Sequence, residues 1–154
     1  MTLSNKPFIK IIGLSLLFFS TITLAASPAG LWKSIDDKTG KPRSLIRISE
    51  DKGVYSGVVE KGLLEGESNE KICDKCTDER KDQKMIGMTI IKSMKEKNGQ
   101  HSSSEYEGGT ILDPDNGKVY KCKMKLNESA DKLEVRGFIG VSLFGRSQTW
   151  VREE

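Results

Sequence analysis

The stretch EYEGGTILDPDNGKVYKCKMKL at residues 105–126 decides the fold of this chain, because it contains one complete β-hairpin. Its two arms, 105–112 and 118–126, flank Asp113-Pro114-Asp115-Asn116-Gly117, a run of residues that favour tight turns. In the second arm, Tyr120, Cys122, Met124 and Leu126 share one parity, and Lys121, Lys123 and Lys125 share the other. This period of two predicts a strand with one buried face and one solvated face.

The same alternation, interrupted by turn residues, extends in both directions from this hairpin. It predicts eight strands, at residues 30–35, 44–50, 54–61, 85–94, 105–112, 118–126, 132–139 and 147–152. Strands joined by short turns pair with their chain neighbours, so we expect an all-β, antiparallel, up-and-down order. Closure into an eight-stranded barrel removes both exposed edges, and a two-sheet sandwich is the alternative.

The N-terminus has the features of an export signal. A basic segment at residues 6–10 is followed by an apolar run at 11–19 and by small residues at 23–27. The apolar run is shorter than the roughly 20 residues that span a membrane. We therefore expect residues 1–25 to be a signal peptide and residues 26–154 to be a single β-barrel domain. The protein is then secreted or periplasmic in a Gram-negative bacterium, with no transmembrane span after cleavage.

The charge balance argues against nucleic acid as a partner. The 154-residue chain has 25 basic and 22 acidic residues, and two of its lysines lie in the predicted signal peptide. The remaining 129 residues carry 23 basic and 22 acidic groups, a formal net charge of +1. A nucleic-acid surface needs an excess of Lys and Arg to displace counterions, so we expect no nucleic-acid partner.

Trp32 and the arginines near the end of the chain suggest how the barrel closes. Gly30-Leu31-Trp32 opens the first strand, and Arg146 and Arg152 bracket Trp150 in the last one. A barrel makes these two strands neighbours, so we expect an arginine to cover the Trp32 indole in a cation–π contact. This arrangement resembles the lipocalin-like, or calycin, barrels, which have a G-x-W on the first strand and an arginine near the last.

A wider resemblance spans most of the chain after the signal peptide. Its blocks are GLW at 30–32, CDKC at 73–76, IG at 86–87, GGTILDP at 108–114, NGKVY at 116–120, VRGFIG at 135–140 and GRSQTW at 145–150. Together and in this order they resemble the bacterial exported domain of unknown function 2147 family. The resemblance implies a small envelope β-barrel, and it supplies no catalytic or ligand residue.

Cys73, Cys76 and Cys122 are the residues of the sequence with the most alternatives for site chemistry. Thiols pair in an oxidising compartment, and three cysteines allow at most one intramolecular bridge, whose partners the sequence leaves open. One alternative is a zinc site made by the three cysteines and His101, and another is a thiol redox pair at Cys73 and Cys76. We expect a structural disulfide, no metal and no cofactor.

Several residues are candidates for lining a ligand site inside the barrel. They are Tyr55, Tyr120, Met124, Phe138 and Phe144. An eight-stranded barrel has room for its own side chains or for one small ligand. A cavity on the order of several hundred Å³ would favour a ligand, and a packed interior would favour a structural or interaction role.

Two further stretches could act on the surface. The apolar, glycine-punctuated segment 137–145 is expected to plug the barrel, and an exposed patch for a ligand or partner is the alternative. The lysines of the strand at 118–126, with Lys132 nearby, are expected to form a solvated face, and contact with an anionic lipid or polysaccharide is the alternative.

These observations predict a monomeric, non-catalytic periplasmic module that binds a small apolar or amphipathic ligand. The first alternative is an envelope protein-interaction or structural module that uses residues 138–144. The second is the thiol redox or zinc protein built on Cys73 and Cys76.

Overall fold

The structure, a computed structural model, describes residues 26–66, 68–97 and 104–153. Its eight antiparallel strands form one closed barrel in sequence order. They are β1 (Gly30–Ile35), β2 (Pro42–Asp51), β3 (Val54–Gly62), β4 (Thr89–Glu96), β5 (Glu105–Asp113), β6 (Lys118–Leu126), β7 (Lys132–Phe138) and β8 (Gly145–Glu153). Because β1 pairs with β8 as well as with β2, the barrel has no open edge. The predicted all-β barrel is confirmed, and the sandwich alternative is wrong. The predicted signal peptide lies outside the described residues.

Several strands extend one or two residues beyond the prediction, and two strands, β4 and β7, fall short of it at one end. β4 begins at Thr89 because residues 85–88 form a turn, in which the Met88 N–H donates to the Met85 carbonyl at 3.1 Å. β7 ends at Phe138, one residue early. Both shortfalls lengthen connections at the same end of the barrel.

The up-and-down order gives the barrel two unlike ends. The β1–β2, β3–β4, β5–β6 and β7–β8 connections lie at one end, called here the loop end. The other three connections and the residues before β1 lie at the opposite end, called here the closed end. Within the three described ranges, no helix is long and apolar enough to cross a membrane.

Large side chains fill the interior near the closed end. They are Trp32, Ile48, Tyr55, Met94, Tyr106, Met124, Leu126 and Leu133, all of them buried. Tyr55 and Tyr106 contact each other edge to face, with ring centroids 5.0 Å apart. Burying side chains of this size stabilises the fold by about 1.5–3 kcal/mol each. This half of the barrel is therefore packed by its own residues.

Arg152 ties the start of the chain to this packed half. Its guanidinium donates hydrogen bonds to the carbonyl oxygens of Ser27 at 2.7 Å and Ala29 at 2.9 Å. The Trp32 indole N–H donates to the Pro28 carbonyl at 2.8 Å. These bonds hold residues 27–29 against the closed end.

Candidate functional site

The loop end of the barrel holds a cavity of about 660 Å³. Trp150, which is fully buried, lies among its deeper lining residues, and Ile46, Val59, Ile90, Ile111 and Val135 supply apolar walls. Gly137 lies on the wall as well, and a Cβ there would come within 3.3 Å of Ile111 Cγ2. The glycine thus lets the Ile111 and Tyr120 side chains pack closely against this part of the wall. Mostly apolar pockets of this size are typical of small-molecule sites.

Polar groups of the cavity lie toward its mouth. The Ser34 and Ser44 hydroxyls face each other across the β1–β2 pair, with their oxygens 2.8 Å apart. Gln148 reaches down the wall, where its side-chain oxygen accepts a hydrogen bond from the Trp150 indole N–H at 3.2 Å. An apolar interior with hydroxyl and amide groups nearer the opening suits an amphipathic molecule whose apolar part enters first.

The Arg43 side chain links loops that lie on opposite sides of the mouth. Its guanidinium pairs with Asp115 in the β5–β6 turn at 2.7 Å and with Asp36 in the β1–β2 loop at 3.4 Å. β2 and β5 are separated by two strands, so the pair with Asp115 crosses the opening. Burial disfavours the charged guanidinium, but the two carboxylates outweigh that cost and raise the pKa of Arg43 above its usual value.

A second ion pair lies on the rim. The Arg146 guanidinium donates to the Asp37 carboxylate at 2.6 Å through Nε, which joins the start of β8 to the β1–β2 loop. This contact lowers the pKa of Asp37 below its usual value. Arg146 also belongs to the cavity lining. The charges at the mouth are therefore largely neutralised within the protein, so a ligand needs no full charge to balance them.

The long β3–β4 loop rests on the β5–β6 turn beside the mouth. Gly117 has a φ of 71°, and a Cβ there would lie 1.8 Å from the Lys75 carbonyl oxygen. The Lys75 ammonium donates to the Asp115 carbonyl at 2.8 Å. A glycine at this turn therefore permits both its backbone geometry and the close approach of the loop.

The segment that rests on Gly117 is closed by a disulfide between Cys73 and Cys76, with an S–S distance of 2.02 Å. Cys122 is a free, buried thiol, and burial raises its pKa to about 12. The sulfurs of Cys73 and Cys76 bond to each other, so the proposed zinc set with Cys122 and His101 is wrong for these two members. His101 lies outside the described residues. Among residues 26–66, 68–97 and 104–153, no group of three or more His, Cys, Asp and Glu could hold a metal ion.

The β7–β8 loop, residues 139–144, projects from the loop end. Ile139, Val141, Leu143 and Phe144 are 65%, 61%, 80% and 73% exposed. The expectation that this segment plugs the barrel is therefore wrong: Phe138 is buried, but the loop turns outward after it. Ile139 and Phe144 still line one side of the cavity mouth.

A family model described as "Uncharacterized protein conserved in bacteria (DUF2147)" matches residues 30–152. The chain belongs to this family. Among solved structures, it is similar to a protein described as "Protein HP1028 from the human pathogen Helicobacter pylori belongs to the lipocalin family". The match has a TM-score of 0.70 and 17% identity, and covers 84% of this chain and 85% of that one. At this identity the likeness shows the fold alone. A search of curated proteins found no match.

The DUF2147 match runs from the first strand to the last, and its two ends meet in the barrel. Trp32 on β1 is paired in register with Arg152 on β8, whose guanidinium lies over the indole. Of the two arginines predicted to cover Trp32, Arg152 does so, and Arg146 instead lies at the mouth with Asp37. Trp150 lies between the packed half and the cavity.

The cavity of this DUF2147 barrel takes in some of the predicted lining residues and not others. Tyr120, Phe138 and Phe144 line it. Tyr55 and Met124 lie in the packed half near the closed end and do not. Large apolar and aromatic side chains such as these five occur equally in a packed core and in a ligand site.

Sequence reasoning missed Ser34, Ser44 and Gln148. A usable signal was present, because Ser34 shares the inward parity of Trp32, and Ser44 shares that of Ile46. Small polar residues at inward positions near one end of two paired strands indicate that this end is not filled by the core.

Proposed function

We propose that the protein is an exported, non-catalytic binding module that holds one small apolar or amphipathic ligand in its loop-end cavity. The observation that carries this proposal is a cavity of about 660 Å³ inside a closed barrel whose other half is fully packed. A fold of this size loses stability with every void it keeps, because each missing contact costs dispersion energy and apolar burial. A retained, apolar-walled opening is consistent with a site for a ligand.

The lining points to the class of ligand. Deep residues such as Val135 and Trp150 offer mainly apolar contact. The one polar group there, the Trp150 indole N–H, already donates a hydrogen bond to the Gln148 side-chain oxygen. Nearer the mouth, Ser34 and Ser44 offer hydroxyls, and the rim arginines already have carboxylate partners. We infer a ligand with an apolar chain or ring system and a neutral or weakly charged polar group that stays near the opening.

The cellular location of the protein is part of the same proposal. Residues 1–25 act as a cleaved signal peptide, and residues 26–154 work as a single monomeric domain in the periplasm or outside the cell. The basic, apolar and small-residue order of the N-terminus supports this, and so does the Cys73–Cys76 bridge, since disulfides persist in oxidising compartments. Cell fractionation followed by intact-mass measurement tests this part of the proposal. We expect the exported fraction to contain a chain whose mass corresponds to an N-terminus at or next to Ala26.

A pair of matched variants tests ligand binding. Val135→Trp adds an indole inside the cavity, and Val151→Trp adds the same group on the outward side of neighbouring β8. We expect the wild-type protein to bind the probe 11-(dansylamino)undecanoic acid saturably with a blue-shifted emission. Val135→Trp should weaken this binding at least about tenfold, a loss of roughly 1.4 kcal/mol, and Val151→Trp should leave it unchanged.

Two outcomes would contradict the proposal. One is the absence of saturable binding by the wild-type protein, together with no co-purifying mass in native mass spectrometry of protein recovered from cells. The other is equal probe affinity in wild type and Val135→Trp when circular dichroism shows that both are folded.

A further inference from the structure

The β7–β8 loop is an exposed apolar surface whose backbone is held by hydrogen bonds. Four of its six residues are large, apolar and more than half exposed: Ile139, Val141, Leu143 and Phe144. The Arg136 guanidinium donates to the carbonyls of Ser142 at 2.8 Å and Leu143 at 3.2 Å, and so braces the loop from inside. The loop also closes on itself, because the Phe144 N–H donates to the Val141 carbonyl at 3.1 Å. Contiguous exposed apolar groups on a folded protein mark a contact with a partner or a membrane.

The strand beside this loop is cationic. Lys121 on β6 is paired in register with Phe138, the last residue before the loop, and Lys118 begins β6 at the loop end. Lys123 lies one step further down, with its ammonium 5.9 Å from the Phe138 ring. Lys118, Lys121 and Lys123 are all exposed and are called here the cationic strip.

Few carboxylates face the cationic strip, and the first of them is Asp113 on β5, which is paired in register with Lys118. Glu107 on β5 lies 3.6 Å from the Lys123 ammonium, and Glu134 on β7 accepts a hydrogen bond from the Ser147 hydroxyl. In the described part of the chain, Lys118 and Lys121 form no ion pair. Lys121, which is flanked in register by Thr110 and Phe138, is therefore available to an anionic partner, whereas Lys118 has Asp113 opposite it.

An apolar tip bordered by exposed ammonium groups matches the boundary of an anionic lipid layer. Apolar side chains enter the zone between headgroups and acyl chains, and lysines meet the phosphates beside them. A six-residue turn is too small for a standard protein interface, which needs about 800 Å² from each partner. Two copies meeting through this face would bring their cationic strips together, which disfavours self-association.

We propose that the loop end docks on an anionic lipid surface, with residues 139–144 inserted and the cationic strip on the lipid phosphates. This docking goes beyond the proposed ligand binding and stands without it. Because Ile139 and Phe144 also line the cavity mouth, docking would place that mouth against the lipid.

Vesicle sedimentation tests the proposal with the protein recovered from an expressing bacterium, its N-terminus defined by intact mass. We expect at least tenfold stronger partition into vesicles of phosphatidylcholine with 30% phosphatidylglycerol than into phosphatidylcholine alone, and loss of that difference in 0.5 M salt. The double variant Leu143→Ser/Phe144→Ser should lower partition at least tenfold, whereas Val151→Ser, an exposed apolar residue on the barrel wall, should not.

A second pair of variants separates the charges near the loop from general basicity. Lys121→Glu should weaken binding to the anionic vesicles several-fold, whereas Lys132→Glu, at the closed end, should have a much smaller effect although its change in net charge is the same. Phe144→Trp adds one exposed tryptophan to the two native ones, which are buried. Its fluorescence emission should shift to the blue on anionic vesicles.

Three results would overturn the docking. They are equal partition into the two vesicle types, unchanged partition of Leu143→Ser/Phe144→Ser, and a dimer in solution that this variant dissociates. If the wild-type protein does not bind to either type of vesicle but residue 144 crosslinks to an envelope protein in cells, the loop is a protein interface and the lipid proposal fails.

Discussion

The guanidinium carbon of Arg152 lies 4.3 Å from the centroid of the Trp32 indole ring. One residue comes from the last strand and the other from the first, so the contact forms only when the barrel closes. The same guanidinium also binds the Ala130 carbonyl at 2.5 Å and the Ser27 and Ala29 carbonyls. Arg152 thus joins β1, β8, the β6–β7 turn and the start of the domain.

Replacing Arg152 should therefore weaken the whole fold. Arg152→Ala removes a cation–π contact worth about 0.5–2 kcal/mol and leaves backbone carbonyls at the closed end without their donor, so we expect a loss of about 2–4 kcal/mol in the free energy of unfolding. Arg152→Lys keeps the charge but loses the planar guanidinium donors, so its free energy of unfolding should lie between those of the wild type and Arg152→Ala. Urea denaturation measures the change.

Arg146→Ala is the matched control for this prediction. It removes an arginine from the same strand, but its partner Asp37 is a solvent-accessible carboxylate, and such pairs contribute less than about 1 kcal/mol. Equal destabilisation by the two variants would show that Arg152 acts only as a surface charge.

Gly117→Ala should release the disulfide-closed part of the β3–β4 loop from the β5–β6 turn. The new Cβ would overlap the Lys75 carbonyl oxygen, and the positive φ disfavours any L side chain by about 1–2 kcal/mol. We expect a lower melting temperature and faster amide hydrogen exchange in residues 71–76, with the β6–β7 pairing still protected.

Gly140→Ala serves as the comparison for the same backbone geometry without the collision. Gly140 has a φ of 70°, and a Cβ there would meet no atom within 4 Å. If both variants change hydrogen exchange at residues 71–76 alike, the contact between Gly117 and Lys75 does not hold the loop.

The three cysteines should give a characteristic thiol count. Burial raises the pKa of Cys122 to about 12, so at pH 8 almost no reactive thiolate is present and the sulfur is inaccessible. Ellman titration should find no thiol in the native protein, one after unfolding, and three after unfolding with reductant. Two or more thiols without reductant would show that the Cys73–Cys76 bridge is absent.

Asp78 should make stability sensitive to acid. The side chain and backbone N–H of Arg80 donate to this carboxylate and lower its pKa to about 2, from a usual value of 3.8. A lowered pKa in the folded state means that the stabilisation is complete above about pH 4 and is lost as the pH falls through 2. Arg80 is buried and also donates to the Thr89 carbonyl at 3.0 Å, which ties the long loop to the start of β4.

The variant Asp78→Asn checks this linkage. At pH 7 we expect it to cost about 1–3 kcal/mol, below the cost for a fully buried pair because Asp78 is partly exposed. The difference in melting temperature from wild type should narrow between about pH 4 and pH 2. A difference that stays constant over that range would mean that Asp78 does not titrate as described.

The alternation of apolar and polar side chains was sufficient to predict the fold. A period of two at 118–126 and in the other strands requires one buried and one solvated face, and short turns between strands leave an up-and-down barrel as the simplest closure. Trp32 and an arginine on the last strand were predicted to meet because closure makes those strands neighbours. These predictions succeeded because they depend only on local periodicity and chain connectivity.

The location of the site depended on the tertiary structure. Inward parity is the same for Met124, which packs in the core, and for Tyr120, which lines the cavity, because parity separates the buried face from the solvated face and does not tell which part of the interior is filled. Likewise, the apolar run 139–144 could fill the barrel or project from it. Its outward path follows from the braces that Arg136 places on the Ser142 and Leu143 carbonyls.

By itself, then, the sequence determined which face of each strand is buried, how many strands there are, and which strands meet. Only the tertiary structure decided that the closed end is filled and the loop end hollow, and that Cys73 pairs with Cys76 while Cys122 stays buried. The physical reason is that packing density and sulfur distances depend on side chains far apart in sequence, whereas the period of a strand is set by each residue and its nearest neighbours.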